Sequence, residues 1–173
     1  EWTDGQTLTA AIGQSYDLFT PLQLANYIAT LVGGGQHYEA HLLKNVKSYD
    51  NSSVIYAYDK APLNTVEMSG STVQAVKEGM HNLTTGSLSY YFSNCVVSAG
   101  AKTGTAETGI ANTNNGVFVC FAPYDDPQIA VAVVIEKGGS GAALASTAVD
   151  IVNSYFSQEE IGAVVIGENT LLK

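Results

Sequence analysis

The chain has 173 residues, 46% of them hydrophobic and 13% charged, which suits one globular domain or a large part of one. A net charge of −9 argues against a nucleic-acid binder and against a basic membrane-surface patch, since both need cationic surface. No apolar run approaches the ~20 residues of a membrane helix, and Glu1-Trp2-Thr3-Asp4-Gly5 lacks the basic-then-apolar order of a signal peptide.

The first predicted element is a helix from Pro21. Thr20 suits its N-cap and Pro21 its first position. Leu24, Ala25, Ile28, Leu31 and Val32 recur at helical spacing, and Gly33-Gly34-Gly35 ends the run. Leu42 to Ser48 and Val54 to Tyr58 read as a hairpin joined by the turn residues Asp50-Asn51-Ser52. Ser71-Thr72-Val73-Gln74 has the spacing of a capping box. Val73, Val76, Met80 and Leu83 follow at helical spacing until Thr85-Gly86, with Lys77, Glu78 and His81 as the polar side. Leu88 to Ser93, rich in tyrosine and serine, shows no usable period.

From Val96 the pattern turns to sheet. Val96 to Glu107 predicts a strand kinked at Gly100, and Thr108 to Asn115 a polar loop. Val117 to Ala122 predicts an apolar strand. Pro123-Tyr124-Asp125-Asp126-Pro127 marks a turn, and Ile129 to Ile135 is a β-branched strand. Connections this short imply an antiparallel meander. Gly138-Gly139-Ser140-Gly141 leads into a helix from about Ala142 to Phe156 that covers it. Ala163 to Ile166 has strand propensity within the tail, 157–173.

Cys95 and Cys120 leave a disulfide open, since sequence does not set their geometry, but two separately buried thiols are the favoured reading because Cys120 lies inside an apolar run. No histidine stands at ligand spacing to them, so neither a metal nor another cofactor is expected.

The chemistry concentrates in Lys102-Thr103-Gly104-Thr105, which places one cation, two hydroxyls and a glycine in four strand positions. The expectation is an edge strand presenting ammonium and hydroxyls on one face. Gly104 leaves room for a ligand backbone. The bland alternative is an edge-strand lysine that discourages aggregation, among ordinary strand threonines.

Lys-Thr-Gly is the third motif of the penicillin-binding proteins and serine β-lactamases. Around it, Gly13-Gln14-Ser15, Thr20-Pro21-Leu22-Gln23-Leu24-Ala25, Lys102 to Glu107 and Phe118 to Pro123 follow one another in the order seen in class B penicillin-binding proteins. The chain resembles the carboxy-terminal part of their transpeptidase domain over roughly Gly13 to Phe156. It departs from them at Cys120, where glycine is frequent, and at Val117, where an aromatic residue is common.

The resemblance implies a partial α+β transpeptidase-like fold, with an antiparallel meander and helices on its faces. Residues 1–156 would form the carboxy-terminal portion of one domain, and 157–173 a tail with a possible extra strand. It implies a serine acyl-enzyme that cross-links peptidoglycan stem peptides and is trapped by β-lactams. Lys102 and the backbone N–H of Thr105, half of an oxyanion hole, would be catalytic. Lys102, Thr103, Gly104 and Thr105 would bind substrate. The whole protein would stand on the outer face of the bacterial cytoplasmic membrane, anchored upstream. No Ser-x-x-Lys nucleophile and no Ser-x-Asn motif occur in the 173 residues, so this stretch alone is expected to be inactive. The alternatives are part of a β-lactam sensor or β-lactamase, or a scaffold in wall assembly. The family sheet also implies that the strand from Ile129 to Ile135 lacks a neighbour here and becomes an edge open to self-association.

Overall fold

The computed structural model describes residues 2–14, 16–110 and 113–162, with side chains through residue 157. Helix α1 (Asp4–Ala11) begins the chain. The sequence reading missed it, although Thr3 and Gln6 cap it reciprocally in a Thr-x-x-Gln box. Helix α2 (Pro21–Val32) starts and stops where expected. The Thr20 hydroxyl accepts from Gln23 N–H, and Gly33 closes the last turn. Ile28 and Leu31 are its buried face.

Short strands follow. β1 (Gln36–His37) pairs with β4 (Asn64–Thr65), and β2 (Asn45–Lys47) pairs with β3 (Val54–Ala57). The β2–β3 hairpin is shorter than predicted at both ends, and the side chains of both strands are exposed. Its turn is held by Asp50, whose carboxylate accepts from Ser48 Oγ, Ser52 Oγ and Ser52 N–H. Those hydrogen bonds, with Ser48 first, hold the Asp50 carboxyl down to about 2.

Helix α3 (Gly70–Thr85) corrects the predicted capping box. The helix starts at Gly70 with Ser69 at the N-cap, and no side chain caps it. Ser71 is already inside the first turn and hydrogen-bonds Ser69 Oγ instead. Lys77 and His81 are also not a solvated face. Both are half-buried, the His81 ring stacks on Tyr124 at 4.3 Å, and Lys77 Nζ lies 5.3 Å from the same ring. The unassigned stretch after α3 contains one short turn of helix, α4 (Ser89–Phe92).

β5 (Gly100–Ala106), β6 (Asn115–Ala122) and β7 (Ile129–Ile135) form an antiparallel sheet in that order. The fold is α+β. β6 is the central strand and is buried on both faces. Phe118, Cys120 and Ala122 join Ala145, Ala148 and Val152 in one core. Phe121 joins Ile28, Leu31 and Met80 in the other, with Val119 packed against it. The alternation follows from side chains pointing to opposite faces of a strand. A 3₁₀ turn (Gly141–Leu144) leads into α5 (Ala145–Gly162), which extends past the predicted end. Gln158, Glu159 and Glu160 are good helix formers and continue it into the expected tail. β7 pairs only with β6, so it is an edge among the described residues. The predicted strand at Ala163 to Ile166 lies outside them. No described helix is long and apolar enough to cross a membrane.

Cys95 and Cys120 are both free, but only Cys120 is deeply buried; Cys95 is half-exposed. Burial, and then the neighbouring Cys95 thiol, push the Cys120 thiol up to about 12 from an ordinary 9.0. A thiol that ionises less readily when folded holds its proton while the unfolded chain loses it. Stability is therefore fully present below pH 9 and falls as pH rises toward 12. Denaturation midpoints across pH 8–11 should show this fall, and Cys120→Ala should make it shallower. Thr20→Ala should cost about 1 kcal/mol by urea denaturation, whereas Ser71→Ala should stay within about 0.5 kcal/mol.

Candidate active site

β5 carries the lysine and threonines, and its position is set at both ends. Before the strand, the carbonyl of Ala99 accepts from His81 Nδ1 at 2.9 Å and from the buried Thr84 hydroxyl at 2.8 Å. Ser98 O accepts from Tyr124 N–H, and Val96 N–H donates to Asn153 Oδ1 at 2.9 Å. These contacts come from outside the ladder, so residues 96–99 are not strand and β5 starts at Gly100, later than predicted. At Gly100, an added Cβ would sit 2.5 Å from the Phe121 ring and 3.2 Å from Met80 Cβ. The absent side chain lets β5 lie flush on the fully buried Phe121.

Within the strand, Lys102 pairs with Val119 and Gly104 with Val117. Thr103 pairs with Phe118 and Thr105 with Gly116. Cross-strand partners share a face. Lys102 and Gly104 therefore lie on the α2–α3 side, and Thr103 and Thr105 on the α5 side. The expectation of ammonium and hydroxyls on one face is overturned by the two-residue period of the strand. What the four residues share is the edge of β5 that β6 leaves free.

That edge borders a groove of about 690 Å³. Lys102, Thr103, Gly104 and Thr105 all line it, together with Gln14 and apolar side chains of α2 and α3 such as Leu24 and Met80. Among the described lining residues Lys102 is the one charged side chain, in a chain whose net charge is −9. Its Nζ reaches along the edge and donates to Thr103 O at 2.6 Å. Gln14 Nε2 donates to Thr105 O at 3.4 Å. Thr103 and Thr105 are two positions apart, so their outward backbone groups point the same way. Gly104 is tightly seated, since a Cβ there would meet Val117 Cβ at 3.3 Å. Among the described residues no cluster of three His, Cys, Asp or Glu side chains is placed to hold a metal.

Two residues at this edge were missed by the sequence reading. Gln14 stands in the sequence only as part of Gly13-Gln14-Ser15, with no local signal toward β5. Gly141, whose N–H donates to Thr105 Oγ1 at 3.4 Å, carries in the sequence only the signal of a glycine-rich approach to the last helix.

Residues 1–155 match the penicillin binding protein transpeptidase domain, and the chain belongs to that family. It is 32% identical to penicillin-binding protein 2A of Bacillus subtilis over 98% of this chain and 24% of that protein. It is 28% identical to the Escherichia coli peptidoglycan D,D-transpeptidase MrdA over 83% of this chain and 25% of that protein. Among solved structures, penicillin-binding protein 2B of Streptococcus pneumoniae strain R6 superposes with a TM-score of 0.79 at 30% identity, covering 91% of this chain and 28% of that one. The chain thus spans about a quarter of the length of the curated relatives it matches.

The seating of β5 on Phe121 is directly testable. Gly100→Ala should destabilise the chain by about 1–3 kcal/mol, the usual cost of overpacking a filled core. Thermal or urea denaturation reads the loss, and near-UV circular dichroism should report the displaced aromatic ring.

Proposed function

We propose that this chain supplies the substrate-holding strand of a peptidoglycan D,D-transpeptidase, and that β5 grips the carboxyl end of a stem peptide. The observation that carries the reading is the free edge of β5 on an apolar groove whose one charged lining residue, among those described, is Lys102. Membership of the penicillin binding protein transpeptidase family and the name of the E. coli relative support the choice of reaction.

In this reading the extended peptide adds as a strand along β5, where backbone groups supply affinity. The Lys102 ammonium draws the anionic peptide end into a groove of low polarity, where a charge acts more strongly than in water. Thr103 and Thr105 offer hydroxyls to the carboxylate from the other side of the edge. Gly104 between them keeps the approach open. The backbone N–H of Thr105 donates to the oxyanion that forms on the attacked carbonyl, a contact whose loss typically slows turnover about 10²–10³-fold. The attacking serine is assigned to polypeptide outside these residues, because the 173 residues contain no Ser-x-x-Lys. An unactivated serine is too weak a nucleophile at neutral pH. β-Lactams would engage the same edge, as mimics of the dipeptide.

Titration of the ¹⁵N-labelled chain with N-acetyl-D-alanyl-D-alanine should shift the backbone amides of residues 102–105 before any others. Lys102→Ala and Thr105→Val should each weaken binding about tenfold or more, as expected for a lost charge-assisted contact. A fluorescent penicillin should leave no covalent adduct on the chain alone. Shifts scattered over the surface would defeat the substrate assignment, and a stoichiometric adduct would defeat the placement of the nucleophile elsewhere.

A further inference from the structure

The 3₁₀ turn before α5 meets β5 through the backbone of Gly141. Gly141 is buried, and its N–H donates to Thr105 Oγ1 at 3.4 Å. A buried N–H needs an acceptor. Among the described residues this hydroxyl is the one that Gly141 N–H reaches. Only glycine permits the approach, because a Cβ at Gly141 would run into the carbonyl oxygens of Gly104 and Val117. From the other side Gln14 Nε2 donates to Thr105 O, so Thr105 is held at both its side chain and its carbonyl.

A hydroxyl has one hydrogen and two lone pairs. The Gly141 hydrogen points at Oγ1, so the hydroxyl's own hydrogen is turned away from the loop. Thr105 is exposed, and its hydroxyl donates to no other described residue. We propose that Gly141 is a positioning residue that holds the Thr105 hydroxyl as a hydrogen donor at the groove. The subsite then favours a carboxylate, which only accepts, over a neutral carboxamide, which lacks the charge and half of the acceptor capacity. The proposal rests on the reading of β5 as a carboxylate-holding strand. It adds a specificity element from Gly141, which lies 36 residues further along the chain than Thr105.

Two measurements separate the new claim from the reading beneath it. The first is amide hydrogen exchange at Gly141 in the ¹⁵N-labelled chain. Thr105→Val removes the acceptor and should speed exchange by about tenfold, the scale of one lost hydrogen bond. Thr105→Ser restores the hydroxyl and should return exchange to the parent value. Unchanged exchange in Thr105→Val overturns the positioning role, whatever the ligand does.

The second is titration with N-acetyl-D-alanyl-D-alanine and with its C-terminal amide. The parent chain and Thr105→Ser should prefer the acid by about tenfold or more. Gly141→Ala should lower that ratio several-fold, leaving the part of the preference that the Lys102 charge supplies. If Gly141→Ala does not fold, Thr105→Val serves for the same ratio. Full preference for the acid in both variants overturns the specificity claim. If exchange at Gly141 responds as expected but neither ligand shifts the β5 amides, the carboxylate reading falls, and the ligand half of this proposal with it.

Discussion

β6 must bury both of its faces, and the placement of the site depends on that constraint. Its odd and even residues enter two different cores. Phe118 and Cys120 pack toward α5, while Val119 and Phe121 pack toward α2 and α3. A slip of one residue would send each set to the wrong core. The register of β5 is then also fixed, because among the described residues β6 is the one strand that β5 pairs with. Lys102 faces the α2–α3 side because Val119 does, and Thr105 faces the α5 side because Gly116 does.

The site is built largely by close approach of backbones, with little help from large side chains. Gly100 lets β5 settle on Phe121, and Gly141 lets the loop before α5 settle on Gly104. At each point a missing Cβ replaces a gap of one side chain with direct contact. The strand that carries Lys102 and Thr105 is thereby held by its neighbours while its outer edge stays open. Anchoring of Ala99 by His81 and Thr84 does the same at the entrance of the strand. Rigid support around an open edge suits a surface that must present hydrogen-bonding groups in a fixed order.

Much of the fold was legible because the signals are local. Thr20-Pro21 and Gly33 mark α2 through capping chemistry that needs only a few neighbouring residues. The β-branched run from Ile129 to Ile135 coincides with β7. Local signals also misled. Ser71 to Gln74 has the spacing of a capping box, but Ser69 and Gly70 offered an earlier start and the helix took it. Val96 to Ala99 has strand propensity, yet side chains from α3 and α5 hold it outside the ladder. His81 and Lys77 read as the polar side of α3, and Tyr124, more than forty positions away, packs against both and leaves them half-buried.

By itself, the sequence determined the longer elements from α2 onward, their order, the family and the four residues at the edge of β5, because capping, periodicity and the Lys-Thr-Gly motif are written in adjacent positions. Tertiary structure alone decided that Lys102 faces α2 and α3 while the threonines face α5, and that Gln14 and Gly141 meet at Thr105. Those relations join residues dozens of positions apart. They follow from the pairing register and from the space left by absent side chains, neither of which a linear pattern contains.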